Sequence, residues 1–553
     1  MKTPHPTTTV DAPPTASTRS PTQQSIMLLF IGLILTQLMS SLNQTILSTA
    51  LPTIVGELNG VEHMTWVITA FILGVTIMMP IYGKISDMLG RKPLLLIAIA
   101  IFMVGSVLGG LSSTMEGLIL ARAVQGIGGG GLMILSQAAI ADVIPARDRG
   151  KYMGIMGGVF AFSSVAGPLI GGWMTEGPGW RWAFWLNIPL GLIALAATAR
   201  FLNVPRPQLT ARPVIDYLGM ALLAVTTTAL VLVLTWGGAE YAWSSPTILG
   251  LSAVAVLGTL AFVMTERRAK EPIMPLDLFR DRNFVLTTVA AIATGIAMFG
   301  AIGYLPTYLQ MAGGYSATTA GLLMSPMMLT LLVTSVITGF LMSRTGRYKI
   351  FPVVGLFIIA VGMFAFSTVT LDTPIVQICG YMAVVGIGIG MSMQVLTIIV
   401  QNSFSQRMVG TATAANNYFR QVGATLGAAV VGSLFATRLV RLVEDHLGQT
   451  TGSAPDTSSF TPAAIADLPE SVARPIQEAY NEALMPIYLF LVPLAVIAAV
   501  TLMFVVEKPL ARTVHGALAE EGAAVASPGD ESESAKNFSM PGELVEEKSR
   551  SWR

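Results

Sequence analysis

Gly83-Lys-Ile-Ser-Asp87-Met-Leu-Gly90-Arg91-Lys92 stands between two apolar runs, residues 64–82 and 93–112. Each run is about 20 residues long, enough to cross a bilayer as a helix. Glycines let two helix ends approach closely. Asp87 can accept from helix N-terminal amides or pair with a cation, so the segment reads as a latch between helix ends. A turn that needed only positive charge would not require this spacing. A weaker copy, Gly339, Arg344, Gly346 and Arg347, follows a later apolar run and lacks the acid. Two such copies are what a pair of repeated halves leaves behind.

Outward from that loop the chain is apolar almost throughout. Of its 553 residues 53% are hydrophobic and only 11% charged, with a mean hydropathy of +0.67. Soluble proteins carry about 25% charged residues, so one water-soluble core is excluded. Fourteen spans are expected, near 26–48, 64–82, 93–112, 117–141, 152–174, 183–203, 215–236, 246–265, 284–309, 317–342, 350–370, 375–400, 409–437 and 484–506. The fold class is all-α and polytopic. Residues 1–25 form a Pro/Thr-rich tail with no apolar run, not a signal peptide, and 507–553 form a second polar tail. The stretch 438–483 reads as a long loop, with an amphipathic helix over 469–485. Net charge is +1, which implies no nucleic-acid partner. The single cysteine, Cys379, excludes an internal disulfide or a Cys-cluster metal site, and His5, His63, His446 and His515 are scattered. No cofactor or metal is expected, and no reactive constellation suggests an enzyme.

Orientation follows from the loop cations. With the N-terminus in the cytoplasm, eighteen Lys and Arg fall in inner loops and one, Arg181, in the short outer loops. Both termini are therefore expected in the cytoplasm.

Arg122 lies in the fourth span, and a charge within a bilayer span is a functional-site hypothesis by default. The Gly126–Gly131 run has no preceding strand, so it reads as close helix packing rather than a dinucleotide loop. The fifth span carries Gly154, Gly157, Gly158, Gly167, Pro168, Gly171 and Gly172, a thin and bendable pattern. The aromatic stretch Gly179-Trp180-Arg181-Trp182-Ala-Phe184-Trp185-Leu-Asn187-Ile-Pro189 follows.

Together these segments resemble the major facilitator superfamily, over about residues 26–506. The 83–92 loop is similar to its signature loop, the fifth span to its exporter-type antiporter motif, and the aromatic stretch to its fourteen-helix drug:proton antiporters. The resemblance implies an N-terminal six-helix half (26–205), two inserted linker helices (206–270) and a C-terminal six-helix half (271–506). It implies a latch at Gly83, Asp87, Gly90 and Arg91, and an antiporter motif at Gly158, Gly167, Pro168 and Gly171. It also implies proton coupling around position 43 and Arg122, and a monomer in a bacterial cytoplasmic (inner) membrane.

One residue departs from that pattern. The first span reads Leu42-Asn43-Gln44-Thr45-Ile46-Leu47-Ser48-Thr49-Ala50-Leu51-Pro52, where the family has aspartate at the second position. A carboxylate can bind and release a proton; an amide only mimics its protonated shape. No acid falls at mid-depth in any expected span. Three readings stay open: a deliberate Asp-to-Asn change, a natural loss with transport driven otherwise, or coupling through another acid such as Glu57 or Asp142.

A central cavity is expected between the halves. Its candidate lining is Gln37, Asn43, Gln137, Phe160 and Phe162 from the first half. From the second come Tyr304, Tyr308, Gln394, Asn416, Asn417, Arg420 and Gln421. Methionines in the ninth and tenth spans (Met298, Met311, Met324, Met327, Met328) suit adaptable apolar contacts. The expected function is proton-coupled export of multiple amphipathic compounds, uncoupled if Asn43 disables the proton site. Export of lipids or lipid-like envelope components is the alternative. The partners expected are such a substrate, protons and membrane lipid.

Overall fold

The computed structural model describes residues 23–58, 60–202, 214–238, 240–451 and 469–512. The expected tails 1–22 and 513–553, and the loop centre 452–468, lie outside the described residues. Among the described residues, fourteen helices or helix pairs are long and apolar enough to cross a membrane.

The first bundle comprises α1 (Gln23–Leu58), α2 (Met64–Leu89), α3 (Arg91–Leu111), α4 (Met115–Val143), α5 (Ala146–Glu176), α6 (Trp182–Trp185) and α7 (Asn187–Phe201). Short caps punctuate it: Thr114 accepts from Gly117 N, and Gly90, at φ 94°, turns α2 into α3. Two helices, α8 (Tyr217–Trp236) and α9 (Pro246–Glu266), pack on each other beside the bundle. The second bundle comprises α10 (Arg282–Ile302), α11 (Leu305–Met311), α12 (Ala317–Leu323), α13 (Ser325–Thr345), α14 (Ile350–Ser367), α15 (Ile375–Gln401), α16 (Val409–Thr451) and α17 (Glu470–Met503). Outward faces expose large apolar side chains such as Leu257, Leu329 and Val361, as a lipid solvent requires.

The bundles meet mainly through α5 on α13 and α2 on α16. Glycine makes the first contact possible: a Cβ on Gly339 would stand 2.2 Å from the Gly150 carbonyl oxygen. Helix α8 touches both bundles, with Trp66–Trp236 ring centroids 5.4 Å apart and Thr227 bonded to the Tyr418 hydroxyl.

Three expectations change. The ninth span is broken at Gly303–Tyr304, and the tenth at Met324; Pro306 and Pro326 stand just after the breaks, where a proline cannot continue the ladder. The region 438–483 is not a loop at its described ends. Residues 438–451 continue α16 and 470–483 begin α17. Leu439 and Val443 keep the apolar stripe of α16 going and are buried in one cluster with Ile476, Ala479 and Ala483 of α17.

After α17 the chain crosses the end of the molecule that carries the 83–92 loop, here the latch face. Asn283 clasps Val506 through both its amide atoms (2.8 and 2.9 Å). The Tyr348 hydroxyl accepts from Lys508 N at 2.7 Å, and its burial pushes the phenol's pKa up. Ala511 then accepts from Arg147 N of the first bundle at 3.1 Å. This strap joins the two bundles.

Candidate functional site

A cavity opens between the bundles, and both line it. Helix α1 contributes Gln37, Ser41 and Gln44; α2 Phe71 and Met79; α4 Met133 and Gln137; α5 Met156 and Phe160. The second bundle contributes Met298 and Phe299 of α10, Met393 and Gln394 of α15, and Arg420 and Gln421 of α16. The wall is methionine- and phenylalanine-rich, with a few amides and one guanidinium. Gln37 and Gln394 are buried, and the side-chain oxygen of each lacks a hydrogen-bond partner.

Behind the α2 wall lies the Asn43–Arg122 pair. Arg122 is 2% exposed, so its guanidinium does not reach out to the helix end. It donates to the Asn43 side-chain oxygen at 2.5 Å, to Gln125 at 2.8 Å and to the Val67 carbonyl at 3.2 Å. It also stacks 4.1 Å above the Phe71 ring. Phe71 thus touches both the cavity and this cation. Every partner of Arg122 is uncharged.

The cavity is closed on the latch face. Asp87 pairs with Arg91 at 2.5 Å and accepts from Gly410 N (3.1 Å), Thr411 N (2.6 Å) and Thr411 Oγ1 (2.6 Å). The carboxylate therefore caps the first turn of α16, where helix amides lack partners and the dipole is positive. Arg91 also donates to Asp142 at 2.9 Å, and Asp142 accepts from Gln406 at 2.5 Å. The weaker copy works differently. Asp148 at the start of α5 accepts from Ser343, and Arg147 donates to the Ser343 and Arg344 carbonyls. The acid missing from the 339–347 segment is thus supplied from the other bundle.

The fifth span serves two partners. Its latch-face glycines, Gly150 and Gly154, meet α13. Its far-face glycines meet α1: a Cβ on Gly167 would stand 2.0 Å from Thr45 Oγ1, and one on Gly171 2.9 Å from the Ile46 carbonyl. Gly158 is looser, 3.4 Å from Leu332, and Pro168 lies inside the helix.

The expected lining residues divide. Gln37, Gln137, Phe160, Gln394, Arg420 and Gln421 line the cavity. Asn43 is turned to Arg122, and Asn416 to Thr288. Asn417 bridges Gln137 and Arg420. Tyr304 bonds the Ala428 carbonyl, and Phe162 is 54% exposed on the outer surface. Tyr308 bonds Asn481 and lines a separate far-face groove with Asp372 and Arg474. Of the expected methionines only Met298 lines the cavity; Met311, Met324, Met327 and Met328 are core. Phe71, Met79, Met133, Met156 and Met393 were not expected there, since apolar liners carry the same signal as core residues. Glu57 is held by Arg181 at 2.6 Å and Trp180 at 2.7 Å. Among the described residues no group of three His, Cys, Asp or Glu could hold a metal ion.

Comparison with known proteins gives a consistent result. The sequence model of the Major Facilitator Superfamily matches residues 33–428. An MFS-type transporter of Mycobacterium tuberculosis is 43% identical over 493 residues, covering 89% of this chain and 71% of that protein. The multidrug transporter protein MdtP of Bacillus subtilis is 38% identical, covering 79% of this chain and 81% of its own. Multidrug resistance protein 3 of the same species is 32% identical, covering 87% and 95%. Among solved structures, the proton:xylose symporter XylE bound to 6-bromo-6-deoxy-D-glucose superposes with a TM-score of 0.56 at 16% identity, over 89% of this chain and 99% of that one. That last likeness concerns the fold alone.

Proposed function

The chain belongs to the major facilitator superfamily, and we propose that it exports amphipathic compounds from a bacterial cytoplasm by alternating access. The observation that carries this reading is a cavity walled by both bundles and closed at one end by the Asp87–Arg91 latch. An apolar wall of Met and Phe with scattered amides suits cargo that is greasy at one end and polar at the other. The names of two relatives, a multidrug transporter and a multidrug resistance protein, support the same class of cargo. The loop cations assign the latch face to the cytoplasm. The closed latch then corresponds to a state sealed from the cytoplasm.

Position 43 carries the coupling question. Asn43 offers Arg122 the acceptor that a protonated acid would offer, and it cannot release a proton. Transport by this chain therefore runs without proton exchange at position 43. The test pairs this chain with its Asn43→Asp form in proteoliposomes under an imposed pH gradient, following a fluorescent amphipathic compound. Gradient-driven accumulation by the Asp form alone supports the reading. Proton-coupled accumulation by the Asn43 chain would place the proton carrier elsewhere and refute it.

A further inference from the structure

We propose that the central cavity selects amphipathic anions, of which an alkyl carboxylate is the simplest, with the charged head at Arg420 and the apolar body against Phe71, Phe160, Met298 and Met393. The proposal rests on the cavity being the cargo site and concerns only the sign of the cargo's charge.

Arg91, Arg122 and Arg149 are buried, and Arg420 is half-buried at the cavity wall. Arg91 has two carboxylates, Asp87 and Asp142. Arg149 donates to the Ala141 and Ile144 carbonyls at the C-terminus of α4, the negative end of that helix. Arg122 and Arg420 have neither. Arg122 meets Asn43, Gln125 and a backbone carbonyl. Arg420 donates to the Asn417 side-chain oxygen at 2.5 Å. Neither arginine enters any ion pair found among the described residues. No Asp or Glu lines the cavity.

One positive charge, Arg420, lines the cavity and a second, Arg122, packs against its Phe71 wall, with no negative charge in the lining. A cleft lined by one sign of charge concentrates the opposite sign. Arg420 is on the wall itself. Its guanidinium has five N–H donors, of which Asn417 uses one, leaving a planar fork suited to a carboxylate. Arg122 contributes from behind Phe71. Gln37 and Gln394 can turn either end of the amide to the cargo, so they can donate N–H to an anion's oxygens as readily as accept from other polar groups. An acid at position 43 would neutralise Arg122; Asn43 leaves that charge standing.

The test uses the full chain in lipid nanodiscs and three fluorescent probes. All three share one dansyl-undecyl body and carry a carboxylate, a carboxamide or a trimethylammonium head. Binding is measured at pH 7.5 and corrected with empty nanodiscs. The expected order is carboxylate at least tenfold tighter than amide, and amide tighter than ammonium. Arg420→Gln should remove the carboxylate advantage and leave amide affinity within about twofold, while Arg420→Lys keeps part of the advantage. Asn43→Asp, which leaves Arg420 intact, should lower the carboxylate-to-ammonium ratio at least fivefold. Tightest binding of the ammonium probe overturns the proposal, as does an equal loss of all three probes in Arg420→Gln with an unchanged ratio in Asn43→Asp. Binding of no probe at all overturns the amphipathic-cargo reading as well, so the two failures are distinct.

Discussion

The Arg122 guanidinium and the Asn43 side-chain oxygen lie 2.5 Å apart, both sealed from solvent. Removing the acceptor leaves a buried cation short of a partner. Asn43→Ala is expected to destabilise the folded chain by about 1–3 kcal/mol, the penalty for a buried unsatisfied donor. The check is a thermal shift in detergent, with Asn43→Asp restoring stability. Transport of an anionic cargo by Asn43→Asp should rise toward that of the Asn43 chain as pH drops and the new carboxylate fills with protons and stops neutralising Arg122, whereas the Asn43 chain should show no matching step. A step of equal size in both chains would break the link between position 43 and pH.

Asp87 is tied at once to Arg91 and to the first turn of α16. Asp87→Asn keeps the shape but removes the charge that Arg91 and the helix amides oppose. Loss of one partner from a buried pair costs about 3 kcal/mol, which moves the latched–unlatched balance more than a hundredfold. A Cys379→Ser, Ala414→Cys background gives the measurement, because Ala414 is buried where α16 meets Gly83. Its alkylation from the latch face should accelerate at least tenfold in Asp87→Asn.

Two glycines of the fifth span, five residues apart, should respond differently to alanine. At Gly167 the added methyl meets Thr45 Oγ1 at 2.0 Å, while at Gly172 nothing lies within 4 Å. Gly167→Ala should cost about 1–3 kcal/mol through overpacking of α5 on α1. Gly172→Ala should leave both melting temperature and transport unchanged. Equal losses at both sites would mean that backbone flexibility, rather than close packing, is what these glycines provide.

Asn283→Ala removes both bonds to Val506 and should raise hydrogen exchange over residues 504–512 by about one to two orders of magnitude. Exchange over the α5–α13 contact at Gly150 and Gly339 should rise with it, since Ala511 is bonded to Arg147.

Much of the fold was legible because a bilayer demands about 20 apolar residues per span, and that signal is hard to miss. The breaks at Gly303 and Met324 were not legible, since an apolar run looks the same whether its ladder is continuous or kinked. The extension of α16 to Thr451 was hidden too: Arg438 and Arg441 lower the hydropathy there, yet Leu439 and Val443 still hold an apolar stripe against α17. At the cavity, polarity within an apolar helix identified Gln37, Gln137 and Gln394. The same rule put Asn416 and Tyr304 on the wall, although each is satisfied by a neighbouring helix. A polar atom in a span needs a partner, and sequence alone does not tell a partner from a cavity.

Helix α16 has a mechanical consequence. It runs unbroken for 43 residues from the Asp87-capped turn to Thr451, a rod of about 65 Å at a rise of about 1.5 Å per residue. A tilt of about 5° about its capped end would move Arg420 by about 1 Å and Thr451 by about 5 Å, taking that rise. The helix is therefore a lever with its fulcrum at the carboxylate. A single change at Asp87 is felt faintly at the cavity wall and several times more strongly at the opposite surface, so the gain of the device is set by helix length.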